Sequence, residues 1–179
     1  MGLQVNLVSE ISNPGFATAF EIDGSGLIQS FSETESPFST SGDAVTIPNR
    51  NVQTDQDIKV KLAWRTKGLF AHAIETDFKW KIEVLLERRG PGEFDLGATG
   101  VKTLTYGSGT YAGLGAGSTV TYPGADANST TVVIPGGTIP DGLYDIVVVL
   151  RMFHEDGTTP CFLAAFADFG LVDFYREHA

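Results

Sequence analysis

The chain has 179 residues, of which 42% are hydrophobic and 19% are charged. This balance excludes an intrinsically disordered protein, which combines low hydrophobicity with high charge, and the length predicts a single domain over residues 1–179. The formal net charge of −10 argues against a nucleic-acid partner, because phosphate backbones repel an acidic surface.

Residues that bind metals or perform catalysis are sparse. The chain has one cysteine, Cys161, and three histidines, and no two histidines stand at a metal-binding spacing. We therefore expect no metal, no cofactor and no catalytic site. Cys161 and His154 flank a predicted hairpin, so a cysteine–histidine pair stays open as an alternative.

The sequence carries no targeting or membrane signal. Residues 1–6 lack the basic and apolar regions of a signal peptide, and the longest apolar run, residues 161–167, is too short to cross a bilayer. We expect a cytoplasmic protein, or one in a particle that assembles in the cytoplasm, with no membrane partner.

Alternation of apolar and polar residues predicts a fold made of strands. Successive side chains of a strand point to opposite faces, so a period of two indicates one buried and one exposed face. Turn pairs such as Pro14-Gly15 and Asp156-Gly157 separate the segments. We predict a single antiparallel β-sandwich of about ten short strands, all-β, and the candidates in chain order are residues 3–11, 16–22, 27–31, 44–47, 58–65, 78–86, 101–106, 119–122, 131–134, 144–152, 161–167 and 169–175.

Two of these strands carry the tryptophans. Trp64 and Trp80 fall on the apolar side of their segments, which predicts that both are core residues on the same face of one sheet. If the two strands are neighbours, the opposite face of that sheet carries four cations, namely Lys59, Lys61, Lys79 and Lys81. This basic surface is either an ordinary solvated face or one that meets the acidic side of another subunit.

The segment 144–152 is apolar on both faces. Val147 and Val149 alternate with the inward set that begins at Tyr144. We therefore predict a central strand, or one that is covered on both sides.

One motif resembles the corner that precedes a strand in immunoglobulin-like and fibronectin-type sandwiches. It reads Ile139-Pro140-Asp141-Gly142-Leu143-Tyr144-Asp145-Ile146 and is similar to the family pattern D-x-G-x-Y-x-C. The glycine is displaced by one place, and Ile146 stands where the family has cysteine. The resemblance implies an immunoglobulin-like sandwich in which the Tyr144 hydroxyl bonds back to the upstream backbone. It implies nothing about the partner.

Two loops are candidates for contact surfaces. The loop at 66–76 contains Leu69 and Phe70, so it either caps the sandwich or docks onto a partner. The glycine-rich loop at 107–117 is either a plain connection or a contact loop, in which three tyrosines supply adhesive rings. These tyrosines are Tyr106, Tyr111 and Tyr122.

The C-terminal segment, residues 166–175, is apolar on both faces. Phe169, Leu171 and Tyr175 alternate with Val172 and Phe174. A strand with one face in water should not carry large apolar groups there. We therefore predict that this segment either pairs into the sheet with its second face covered or docks onto another chain.

These observations favour a non-catalytic structural or adaptor subunit that self-associates or docks onto a larger protein assembly. Acidic all-β chains with aromatic C-terminal segments resemble the subunits of phage-tail-like particles. The expected interface residues are Lys59, Lys61, Lys79, Lys81, Leu69, Phe70, Tyr111, Phe169, Phe174 and Tyr175. Two alternatives stay open, a carbohydrate-binding sandwich with aromatic residues on its loops and an enzyme of unrecognised type.

Overall fold

The computed structural model of the protein describes residues 3–11, 20–30, 51–90, 94–123 and 130–176. Within these residues the fold is all-β, with short 3₁₀ helices at Gly97–Gly100, Tyr106–Ser108 and Gly115–Gly117. None of the helices in these ranges is long and apolar enough to cross a membrane. The strands are β1 (Leu3–Asn6), β2 (Val8–Ile11), β3 (Glu21–Ser30), β4 (Asn51–Gln53), β5 (Ile58–Lys67), β6 (Lys79–Arg88), β7 (Val101–Thr105), β8 (Thr110–Ala112), β9 (Thr119–Tyr122), β10 (Thr131–Ile134), β11 (Gly142–Phe153) and β12 (Pro160–Tyr175).

The strands form two six-stranded sheets that pack face to face, which confirms the predicted β-sandwich. The first sheet has the order β1-β3-β5-β9-β8, and β10 also pairs with β5. The second sheet has the order β2-β12-β11-β6-β7, and β4 also pairs with β12. Neighbouring strands are antiparallel, except that β4 runs parallel to the end of β12.

The two tryptophans meet in the core, but they come from different sheets. Trp64 on β5 and Trp80 on β6 are both 0% exposed, which confirms their predicted burial. Their ring centroids are 5.7 Å apart in an edge-to-face arrangement, and Trp64 also stacks on Tyr122 at 4.5 Å. The prediction that they share one face of one sheet is wrong, because β5 and β6 face each other across the sandwich.

The N-terminal strands differ from the sequence prediction in two ways. The segment 3–11 forms two strands in different sheets, since β1 pairs with β3 and β2 pairs with β12. The predicted strands 16–22 and 27–31 contribute to one strand, β3, which runs through Gly24. A Cβ at Gly24 would lie 2.2 Å from the Ala63 carbonyl oxygen, so the glycine allows a close backbone approach within a continuous strand. Residues 12–19 and 31–50, which include the predicted strand 44–47, lie outside the described residues.

A β-bulge in β12 explains the two apolar faces of the C-terminal segment. The register of β12 against β11 shifts between the pairs Ile146↔Gly170 and Val147↔Asp168. Phe169 therefore points inward together with Phe174, and these two side chains are 1% and 2% exposed. The prediction that Phe169 lies on the face opposite Phe174 is wrong, because the bulge adds one residue and restores a single inward face.

The corner before β11 has the hydrogen bond that its sequence motif implies. The Tyr144 hydroxyl donates to the Pro140 carbonyl oxygen at 3.1 Å, and the ring is fully buried. This bond ties the start of β11 to the turn that precedes it.

Candidate functional site

The four lysines predicted to form one basic surface lie in different sheets. Lys59 and Lys61 belong to β5 of the first sheet, whereas Lys79 and Lys81 belong to β6 of the second. Lys61 is also 5% exposed, so little of it reaches the surface. The prediction of a single basic surface is wrong, because it assumed that β5 and β6 are neighbours in one sheet.

The structure brings the two candidate loops together at one edge of the first sheet. The Gly68 amide donates to the Ser118 carbonyl oxygen at 3.0 Å, and the His72 ring lies 5.2 Å from the Tyr111 ring. Leu69 and Phe70, which lie between Gly68 and His72, are 54% and 36% exposed. The loop at 66–76 therefore contacts the glycine-rich region through Gly68 and His72, and it carries two exposed apolar side chains.

The other tyrosines of the glycine-rich region belong to the core. Tyr106 is 0% exposed and Tyr122 is 1% exposed. The Tyr106 hydroxyl donates to the Ala71 carbonyl oxygen at 2.6 Å, and the Tyr122 hydroxyl donates to the Tyr106 carbonyl oxygen at 2.6 Å. Burial raises the pKa of both phenols. The hypothesis that both rings lie on a contact loop is therefore wrong, and only Tyr111 is partly exposed.

One end of the outer surface of the first sheet is polar and ion-paired, whereas its centre, at Leu27, Lys61 and Ala63, is buried. Arg65 contacts the Asp23 carboxylate through two nitrogens, at 3.1 and 2.7 Å. The Lys67 ammonium lies 3.1 Å from Asp23 and 3.2 Å from Glu21. Burial alone would raise the pKa of Asp23, but hydrogen bonds from Arg65 and Lys67 outweigh it and lower the pKa. Such cross-strand pairs are typical of a sheet face in contact with water.

The outer surface of the second sheet has an apolar centre instead. Register pairs connect Val8 to Phe166, Phe166 to Val149, and Val147 to Leu85. Val8 and Leu85 are 53% and 45% exposed, and the other three are half-buried. We call these five residues the apolar face, and they extend over four adjacent strands, β2, β12, β11 and β6.

Like charges stand opposite one another at both ends of the apolar face. Toward one end Asp145 of β11 pairs in register with Glu87 of β6, and toward the other end Arg151 pairs with Lys81. Charges of the same sign on directly opposite strand positions destabilise a sheet. We call the first pair the acidic pair and the second the basic pair.

Each pair has one in-chain counter-ion. Arg89 forms an ion pair with Asp145, and Glu83 lies 3.6 Å from Lys81. Within the described part of the chain, Glu87 and Arg151 form no ion pair, and both side chains are exposed. The surface therefore offers one anion and one cation to a partner, at opposite ends.

A groove of about 800 Å³ lies at the edge of β6. β7 pairs with β6 only as far as Glu83, and the groove follows the next residues of β6 against Phe94 and Leu96. Its lining is an even mixture of polar and apolar groups.

The candidate metal-binding and nucleophilic residues are His154, Cys161 and the acidic side chains. The described residues contain no cluster of three histidine, cysteine or acidic side chains that could hold a metal ion. The His154 ring packs on Phe78 at 4.7 Å, and burial raises the pKa of the Cys161 thiol. A raised thiol pKa makes a poor nucleophile, because the thiolate is the reactive form.

Comparison with known proteins found no match that indicates a function. No family model and no curated protein sequence matches the chain.

Proposed function

We propose that this protein is a non-catalytic structural or adaptor subunit that binds another protein subunit through the apolar face of its second sheet. The observation that carries the proposal is the contrast between the two outer surfaces of the sandwich. The first sheet carries cross-strand ion pairs at its Asp23 end, and the centre of its outer face, at Leu27, Lys61 and Ala63, is buried. The second sheet instead leaves apolar side chains exposed on its outer face, including Val8 and Leu85.

The position of the apolar face adds to this argument. Val147 and Val149 lie on β11, which is central in its sheet, between β12 and β6. Apolar side chains scattered over a surface need no explanation, but a contiguous patch with a polar rim is typical of a protein interaction site. Charged residues, including Arg151 and Glu87, surround this patch.

The carbohydrate-binding alternative has thinner support. Such modules present flat, exposed aromatic rings, and here the two tryptophans are fully buried. Tyr111 is 38% exposed, and one side of its ring is turned toward His72.

Site-specific photo-crosslinking in the source cell tests the proposal. A benzoylphenylalanine at Leu85 reports on the apolar face, and the same residue at Val133 is the matched control. Val133 is 47% exposed on the outer side of the first sheet, so the two probes have similar access to solvent.

We expect discrete protein adducts, to this chain or to another, at position 85 and not at position 133. Equal labelling at the two positions, or none at either, would contradict the proposal.

A further inference from the structure

We infer that the partner of the apolar face is a second copy of this chain, packed face to face with its strands antiparallel to those of the first. This inference rests on the proposed function and names the occupant of the same surface. It is carried by the arrangement of the acidic pair and the basic pair around the centre of the sheet.

The two pairs are placed symmetrically. Val148 of β11 is the register partner of Val84 on β6. On β11, Asp145 precedes Val148 by three residues and Arg151 follows it by three. On β6, Lys81 and Glu87 stand at the same separation before and after Val84.

This symmetry makes the two charged ends of the surface complementary to each other. Consider a two-fold axis that lies in the interface, perpendicular to the strands and level with Val148. The strands of the second copy then run opposite to those of the first. This axis places Asp145 over Arg151 of the second copy and Glu87 over Lys81 of the second copy. An interface of this kind is isologous, since every contact occurs twice.

The arrangement also removes the like-charge repulsion within each copy. In one chain alone, two carboxylates lie side by side at one end and two cations at the other. In the pair of copies, each set faces the opposite charge, and Val147 meets Val149 at the centre. At the same levels Glu83 lies over Leu85 of the second copy and Asp168 lies over its Phe166, because Glu83 is in register with Val149 and Asp168 with Val147. Opposite charges across the rim select this orientation over the parallel one, in which like charges would meet.

The size of the surface predicts a reversible dimer. β6 and β11 pair over ten positions, which corresponds to roughly 33 Å at about 3.3 Å per residue, and five strands span roughly 20 Å. The resulting area of about 650 Å² per copy is below the roughly 800 Å² per partner of a standard interface. We therefore expect reversible association that becomes weaker at high salt.

Sedimentation velocity on the purified full-length chain at low salt tests the inference. The main variant is Glu87→Lys with Arg151→Glu, which leaves the net charge unchanged. It converts both like-charge pairs into in-chain ion pairs, so we expect an intact fold and association weakened by about ten-fold or more. The matched control, Glu87→Asp with Arg151→Lys, keeps both charges and should associate within about three-fold of wild type.

Cysteine crosslinking tests the antiparallel orientation. In a Cys161→Ser background, a cysteine introduced at Leu85 lies close to the two-fold axis and therefore near residue 85 of the second copy. A short bismaleimide should join the two chains at this position. A cysteine introduced at Arg151 lies roughly 20 Å from residue 151 of the second copy, because the two positions are six residues apart along the strand at about 3.3 Å each. These two cysteines should stay unlinked. Crosslinking at position 151 and not at position 85 would overturn the orientation.

Two results separate this inference from the proposed function. A purified chain that stays monomeric up to about millimolar concentration at low salt overturns self-pairing. Adducts at Leu85 to a different protein would leave the proposed function standing. Association that is unchanged in the Glu87→Lys, Arg151→Glu variant also overturns the inference, because the charge arrangement would then play no part.

Discussion

The contact between Trp64 and Trp80 should be a main source of stability for the sandwich. Trp64 is 0% exposed, and it contacts Trp80 and Tyr122 with centroid distances of 5.7 and 4.5 Å. Removing a buried tryptophan side chain costs about 3–5 kcal/mol, and an aromatic pair adds about 0.5–1.5 kcal/mol beyond its buried area. We expect Trp64→Ala to lower the free energy of unfolding by about 4–5 kcal/mol.

Equilibrium denaturation in urea, followed by far-ultraviolet circular dichroism, measures this loss. Since a domain has about 5–15 kcal/mol of total stability, Trp64→Ala leaves little margin, and Trp64→Phe provides a milder variant that keeps a ring in the contact. Leu114→Ala is the control, because Leu114 is 89% exposed and its loss should change stability by less than about 0.5 kcal/mol. A loss below about 2 kcal/mol for Trp64→Ala would refute the packing argument, since truncation of a well-packed buried tryptophan costs about 3–5 kcal/mol.

Three further changes test local features of the fold. Gly170 in the β12 bulge has φ 62°, so Gly170→Ala should destabilise the protein by about 1–2 kcal/mol, because side chains disfavour this conformation. Tyr144→Phe removes the hydrogen bond to the Pro140 carbonyl oxygen and should cost about 1 kcal/mol. Asp23→Asn should cost about 0.5–1 kcal/mol at pH 7, because the carboxylate is half-exposed and pairs with Arg65. Since the pKa of Asp23 is lowered in the folded state, its contribution is present above the unfolded pKa of about 3.9 and disappears as the pH falls below it.

Controls for these variants come from the same chain. Gly117→Ala should change stability by less than about 0.5 kcal/mol, because a Cβ at Gly117 has no heavy atom within 4 Å. If Gly170→Ala lowers the free energy of unfolding no more than Gly117→Ala does, the bulge does not require the positive φ of Gly170. If the difference in stability between wild type and Asp23→Asn is the same at pH 3 and at pH 7, the ion pairs of Asp23 do not contribute. Thermal melting of the Tyr144→Phe variant at wild-type temperature would contradict a role for its hydroxyl.

The candidate site was only partly predictable from the sequence. Val147 and Val149 make the second face of β11 apolar as well, which indicated a strand that is central or covered. The structure places both valines on the outer surface of a central strand. Leu85 was missed, because its neighbours on the same face of β6 are the charged residues Glu83 and Glu87, and it becomes part of an apolar patch only beside Val147. The charges of Glu87 and Asp145 form a pair only after the register of β6 against β11 is known.

Local patterns in the sequence determined the strand content and the burial of single residues, because a period of two depends only on neighbours along the chain. They predicted the two buried tryptophans and the strands β5, β6 and β11, and the resemblance at residues 139–146 implied the tyrosine corner at Tyr144. Which strands share a sheet depends on contacts between residues far apart in the chain, and a period of two contains no such information. Tertiary structure therefore decided that the lysines of β5 and β6 lie apart, that a bulge turns Phe169 inward, and that the second sheet has an apolar outer face.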